Sequence, residues 1–144
     1  VTTINKTALI PYSAAKMYEL VAAVDHYQDF LPWCGGSKIL SQSADEIQGQ
    51  VRIQHLGMDK TFTTLNRMQK NKMIEMKLID GPFKHLQGFW RFDALEENGC
   101  KISLDLEFEF SNKLMSIAFG PIFSQIANSM VDAFCQRAVD LYGR

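Results

Sequence analysis

Cysteine is scarce: Cys34, Cys100 and Cys135 are odd in number and far apart, with no CxxC pair among them. A disulfide framework and a paired-cysteine metal site are therefore not expected, and three free thiols in a reducing compartment are. Neither sign of charge is in surplus. Fifteen Lys and Arg meet sixteen Asp and Glu, and a net charge of −1 withholds the basic balance of a DNA-binding chain, so no DNA partner is expected. No run approaches the roughly 18 consecutive apolar residues of a membrane span. The opening VTTINKTALIPYS lacks a basic stretch followed by a long apolar one, so it does not read as a secretory leader, and a cytoplasmic setting is expected. Low-complexity tracts, linkers and repeats of solenoid period are missing, which leaves one domain over residues 1–144.

Motifs that carry chemistry are missing as well. His26, His55 and His85 have no HExxH or similar spacing, no GxSxG occurs, and GPFK at 81–84 lacks the GxxxxGK[ST] frame of a phosphate loop. Asp105, Glu107 and Glu109 share one strand face, but that face is expected to be wet. The sequence thus offers no catalytic constellation, no metal site and no cofactor, and reads as a non-enzyme.

What is present is apolar patterning. Apolar residues make up 47% of the chain against 22% charged, enough for a core in a domain of this size. Residues 2–10 read as a strand stopped by Pro11. Ser13 caps a helix over 14–23, with Met17, Leu20, Val21 and Val24 on one face. Asp25 caps a short second helix, His26 to Phe30, which Pro32 ends. Six strands follow: 37–42; 46–56, with Ile47, Val51 and Ile53 on one face; 59–67; 73–79; 85–95; and 100–110. In the third, Phe62 and Leu65 fall on opposite faces, which predicts a bulge. In the fifth, Leu86, Gly88, Trp90, Phe92 and Ala94 share a face, and Gly88 leaves a dent that a helix backbone or part of a ligand would fill. In the last, Ile102, Leu104, Leu106, Phe108 and Phe110 alternate with Lys101, Ser103, Asp105, Glu107 and Glu109. So long a period of two means an antiparallel sheet with one dry face. A final helix, capped by Ser111 or Asn112, runs to about Leu141, with Phe119, Phe123, Ile126, Met130, Phe134 and Leu141 in one stripe. Gly120-Pro121 predicts a kink or break in it, or a fresh start at Pro121.

One dry sheet face and one apolar helix stripe must cover each other, giving an α+β domain with a curved seven-stranded antiparallel sheet around the last helix. Bulky aromatics on both surfaces are expected to hold them apart locally and leave a hollow. VDHYQDFLPWC at 24–34 crowds Tyr27, Phe30, Leu31, Pro32 and Trp33 into a short turn, which reads as a lid that closes one end of it.

These segments carry a resemblance. VDHYQDFLPWC is similar to a signature of the coenzyme Q-binding START-like family, within the polyketide cyclase/dehydrase and lipid transport superfamily. It differs in having Gln28 where that family commonly has Pro. GPFKHLQGFWRF at 81–92, LEFEFSNKLM at 106–115 and TALIPYSAAKMYELV at 7–21 resemble further blocks, so the likeness spans essentially the whole chain. It implies a helix-grip fold. It also implies a hydrophobic small-molecule partner, an isoprenoid quinone or other lipid, with transient contact at a membrane surface. The expected ligand-binding residues are Tyr27, Phe30, Leu31, Pro32, Trp33, Phe83, Leu86, Trp90, Phe92, Phe119, Phe123 and Met130. A branch of toxins associating with the large ribosomal subunit implies a second partner. Lys60, Arg67, Lys70, Lys72, Lys77, Lys84 and Arg91 are the basic residues that would meet it if they share a face. A cyclase would need an acid or base among the inward residues, and the pattern supplies almost none.

Overall fold

Each run of period two becomes a strand in the computed structural model, which describes residues 1–143 apart from the side chain of Glu97; Arg144, the last residue of the expected domain, lies outside the described residues. The strands are β1 (Thr2–Ile10), β2 (Cys34–Gln42), β3 (Glu46–His55), β4 (Met58–Gln69), β5 (Met73–Asp80), β6 (Phe83–Ala94) and β7 (Cys100–Phe110). They form one antiparallel sheet in the order β1-β7-β6-β5-β4-β3-β2. Hairpins link every neighbour from β2 to β7, and β1 closes the far edge against β7. Helix α1 (Ala14–Ala22) and a 3-10 turn (Val24–Asp29) lie between β1 and β2, and helix α2 (Lys113–Tyr142) ends the fold. This is the expected helix-grip α+β arrangement.

Local chemistry explains the helix starts. Ser13 Oγ accepts from the Lys16 amide, and Asn112 Oδ1 accepts from the Met115 amide at 2.8 Å, so Asn112 is the cap of α2. Burial follows the alternation: Cys100, Ile102, Leu104, Leu106, Phe108 and Phe110 are buried, while Lys101 is exposed and Ser103 to Glu109 on the other face are half-exposed. α2 lays Phe123, Ile126, Ala127, Val131, Phe134 and Ala138 on the sheet, chiefly over β1 and β7, with α1 beside it. Met130 and Phe119 are half-buried and Leu141 is exposed, so the stripe is narrower than expected.

Four expectations need correction. The second helix is a 3-10 turn that begins at Val24; the α1 cap, Ala23, is followed at once by the next turn. β2 starts at Cys34, three residues early, because Gly35 and Gly36 continue the ladder with only a register shift. β4 has no bulge against β3, since their register is unbroken. Phe62 points inward and Leu65 outward, and a single half-exposed apolar side chain is tolerated on a wet face. The irregularity sits between β4 and β5, where Ile79 is the extra residue opposite Thr63 and Thr64. Finally, α2 runs through Pro121 without a break. The carbonyl of Ile117, which loses its partner to the proline ring, belongs to an exposed turn where water can replace that bond.

α2 is also long and apolar enough in composition to cross a membrane, with mean hydropathy 1.3 over its best 18-residue window and 22% of that window buried. Interspersed Ser, Gln and Asn kept it from reading as one apolar run. Its buried residues belong to the domain core, while Leu114 and Ile117 near its start stand out at 77% and 67% exposure.

Candidate functional site: an apolar cavity between sheet and helix

The inner face of the sheet and the underside of α2 are both lined with bulky side chains. α2 packs most closely on β1 and β7, which leaves a gap between it and the β3–β5 side of the sheet. The 3-10 turn covers part of that gap. Gly49 on β3 makes this seating close: a Cβ there would lie 3.1 Å from Val24 Cγ1. Edge-on contacts of Phe134 with Tyr27 (5.3 Å), Phe30 (5.4 Å) and Trp90 (5.3 Å) join the turn, α2 and β6. A second aromatic group, Phe62, Phe83, Phe108, Phe110 and Phe123, fills the other end; Phe83 stacks on Phe110 at 4.7 Å.

Between these groups lies a cavity of about 80 Å³. It is lined by Val24, Tyr27 and Trp33; by Gly49, Val51 and Ile53 on β3; by Phe62, Thr64 and Asn66 on β4; and by Met76 on β5. Leu86 and Trp90 on β6, Leu104 and Leu106 on β7, and Phe123, Ile126, Ala127 and Met130 on α2 complete it. The hollow expected from the sequence is therefore present, but far smaller than the roughly 300–1,000 Å³ of a site that holds a drug-sized molecule.

Of the residues singled out in the sequence, Tyr27, Trp33, Leu86, Trp90, Phe123 and Met130 border this space. Phe30, Leu31, Pro32, Phe83, Phe92 and Phe119 do not. Phe30 packs on Tyr27 and Phe134, with the Arg137 guanidinium 4.9 Å from the centre of its ring. Leu31 is buried in the turn and Pro32 is exposed. Phe83 belongs to the aromatic group at the end of the sheet, Phe92 packs edge-on against Tyr18 of α1 at 5.8 Å, and Phe119 lies under the Lys60 ammonium at 5.7 Å. The dent at Gly88 is filled neither by the helix nor by a ligand. A Cβ there would stand 2.2 Å from the Asp105 carbonyl oxygen, so the backbone of β7 occupies it.

Twelve lining residues were not among those expected to bind a ligand; ten are apolar residues or glycine, from Val24, Gly49, Val51, Ile53, Phe62 and Met76 to Leu104, Leu106, Ile126 and Ala127, and the two polar ones are Thr64 and Asn66. Both are more than nine-tenths buried, on the inner face of β4, and Thr64 Oγ1 donates to Asn66 Oδ1 at 2.8 Å. Their spacing of two on a strand whose Phe62 faces inward was the available signal. The Tyr27 hydroxyl donates to the Val21 carbonyl, and burial pushes its pKa well above the usual phenol range. Burial likewise raises the Cys34 thiol. Among the described residues, no Asp, Glu, His, Lys or Arg borders the cavity. His85 faces Glu107 at 3.2 Å on the outer sheet face, and His26 faces Asp29 at 3.0 Å on the exposed turn. Among the described residues no group of His, Cys, Asp and Glu is arranged to hold a metal ion.

The basic residues do not share one face. Strand register gathers Arg67, Lys70, Lys72 and Arg91 around the β4–β5 turn on the outer side, whereas Lys60 and Lys84 lie toward the opposite end of the sheet and Lys77 lies between. Arg67 pairs with Glu46 at 3.6 Å.

Fold and cavity together define a START-like, helix-grip protein. Protein CC1736 from Caulobacter crescentus shares the fold with a TM-score of 0.78, at 26% identity over 100% of both chains. A START superfamily protein from Mycobacterium smegmatis does so at 0.66, with 18% identity over 93% of this chain and 92% of that one. Residues 10–135 match the family described as polyketide cyclase / dehydrase and lipid transport, and the chain belongs to that family. Within it, the chain is 47% identical over 139 residues to the ribosome association toxin RatA of Escherichia coli K12, covering 96% of this chain and 88% of that protein. A RatA from Pseudomonas aeruginosa is 44% identical over 99% of both. More distantly, the mitochondrial coenzyme Q-binding protein COQ10 homolog B of Xenopus laevis is 26% identical over 97% of this chain and 59% of that protein.

Proposed function

We propose that this protein is a non-catalytic binder and carrier of a hydrophobic small molecule, an isoprenoid quinone such as ubiquinone, held between the sheet and α2. The observation that carries this reading is a partly enclosed lining of eighteen residues with no carboxyl, imidazole, amine or guanidinium group among the described residues, and with only Thr64, Asn66, the Tyr27 hydroxyl and the Trp33 and Trp90 indole N–H groups as polar side-chain groups. Such a lining has nothing to move protons for a cyclisation, but it favours apolar burial. One isoprene unit transferred from water is worth on the order of 3–4 kcal/mol, from roughly 0.8 per CH₂. Two or three units offset the cost of association without strong polar contacts.

The cavity of about 80 Å³ must widen to take such a ligand. The parts suited to yield are Met76 and Met130, whose unbranched side chains repack easily, and the 24–33 segment, which is held to the sheet by two hydrogen bonds, Gln54 backbone amide to Trp33 carbonyl at 2.8 Å and Gln28 backbone amide to Ser37 Oγ at 3.1 Å, besides its side-chain packing. One end of the molecule also suits a membrane surface. Leu56 of the β3–β4 hairpin, Ile79 before the β5–β6 turn, and Leu114 and Ile117 of α2 are exposed on the edge where those turns meet, with Lys60 and Lys113 beside them. Transient contact there would give the cavity access to bilayer quinone. Organic extraction of protein purified from its own host, followed by mass spectrometry, tests the reading. Co-purifying quinone or isoprenoid supports it; no lipid in repeated preparations and no uptake on titration refutes it.

A second reading is favoured by a separate observation. The 47% identity to RatA over nearly the whole chain supports association with the large ribosomal subunit. The cluster Arg67, Lys70, Lys72 and Arg91 is the surface best suited to phosphate contacts. It lies on the outer side, so it and the cavity can act in one molecule. Sedimentation of ribosomes with excess protein decides: loss of assembled 70S particles supports the role, and an unchanged profile removes it.

A further inference from the structure

We propose that Asn66 is the hydrogen-bond donor for a carbonyl oxygen of the cavity's ligand, with Thr64 holding the amide in that orientation, so that the site prefers a carbonyl-bearing isoprenoid to a hydrocarbon. This rests on the carrier reading above and adds to it the polar chemistry of the ligand. A buried Asn carries two N–H donors and a carbonyl acceptor. Here the carbonyl is taken, because Thr64 Oγ1 donates to it at 2.8 Å. The amide nitrogen takes part in none of the described hydrogen bonds, yet no described side-chain nitrogen or oxygen is both sealed from space and unpartnered. The free N–H groups of Asn66, a residue 7% exposed that lines the cavity, therefore face the cavity space.

Elementary energetics make this arrangement directional. An unpaired buried amide in an apolar wall is unfavourable, and a ligand oxygen that accepts from it removes the penalty. Thr64 has spent its proton on Asn66, and the Tyr27 hydroxyl has spent its own on the Val21 carbonyl. Those two oxygens keep only lone pairs, so among these three groups the free donor is the Asn66 amide, which suits an acceptor such as a quinone or ketone oxygen. The other donors on the lining are the Trp33 and Trp90 indoles, and the variants below separate them from Asn66.

The experiment uses the full chain with N-phenyl-1-naphthylamine bound as a neutral fluorescent reporter. It is displaced by a two-isoprene ubiquinone or by squalene, a hydrocarbon without oxygen. Asn66→Leu should weaken quinone binding roughly two- to tenfold, the range of one net neutral hydrogen bond, and leave squalene binding unchanged or tighter. Asn66→Asp keeps the shape; followed across pH, it should weaken quinone binding at least as much once the carboxyl ionises and offers only acceptors, while squalene changes less. If Asn66→Leu destabilises the fold, the Asp variant carries the test. Quinone affinity equal to the original in both variants overturns the assignment to Asn66 and leaves the carrier reading standing. Failure of both ligands to displace the reporter from the unmodified protein overturns the carrier reading and this inference with it.

Discussion

Ala127 offers the cleanest separation of stability from binding. Its side chain is 1% exposed, lies in the buried stripe of α2 between Phe123 and Val131, and borders the cavity. Ala127→Leu puts three more carbons into that space. Burying them is worth about 2.4 kcal/mol at roughly 0.8 per carbon. A void of 80 Å³ costs about 2 kcal/mol at roughly 24 cal/mol per Å³, and filling it recovers part of that same quantity by another route. Against this stands about 1–3 kcal/mol for overpacking where Leu does not match the void. The opposing effects nearly cancel, so the net change should lie within about 1 kcal/mol, or a melting shift of roughly 2–4 °C in a domain of this size. Ligand uptake should nevertheless collapse, because the substituted side chain occupies the space from which the cavity must widen. Thermal unfolding and reporter displacement, read on the same preparation, check both halves. A variant that melts like the original and still takes up quinone with the original affinity would refute the location of the site between sheet and helix.

Other substitutions probe the remaining parts. Trp90→Ala removes a side chain 1% exposed that meets Phe134, and should lower stability by about 3–5 kcal/mol and abolish ligand retention. Trp33→Ala should weaken retention more than it lowers the melting temperature; equal destabilisation by the two with unaltered binding would contradict the reading of Trp33 as part of a lid on the cavity. Gly88→Ala sets a Cβ against the Asp105 carbonyl, which cannot rotate away, and should cost about 1–3 kcal/mol by chemical denaturation; an unchanged midpoint would show that β6 and β7 part freely. Burial pushes the Cys100 thiol from 9.0 to about 11, with Asp93 and Cys135 adding to it. Since the folded value lies above the unfolded one, this contribution to stability is whole below pH 9 and is lost as pH rises through 11. Urea midpoints should therefore fall across that window, and Cys100→Ala should flatten the fall; Cys100 in the folded protein should also resist alkylation at pH 8.

The strands, their inner and outer faces and the class of fold were legible in the chain itself, because alternation is a local property. Val51 and Ile53, or Leu104 and Leu106, declare their side of the sheet by spacing alone, and Ser111 and Asn112 mark the place of a cap, of which the structure uses Asn112. The interior was not legible in that way. Thr64 and Asn66 carry no apolar signal of their own, and it is the assembled sheet and helix that bury them. Phe30, Phe83, Phe92 and Phe119 are as apolar as Trp90, yet they seal edges instead of lining the cavity, since pattern says that a side chain is buried but not what it is buried against. The unbroken course of α2 through Pro121 depended on an exposed turn that sequence does not reveal. A void of 80 Å³ is a small difference between large packed volumes contributed by β3 to β7, α2 and the 24–33 segment. Only the tertiary structure, which fixes all of those volumes together, decides whether and where such a difference is left over.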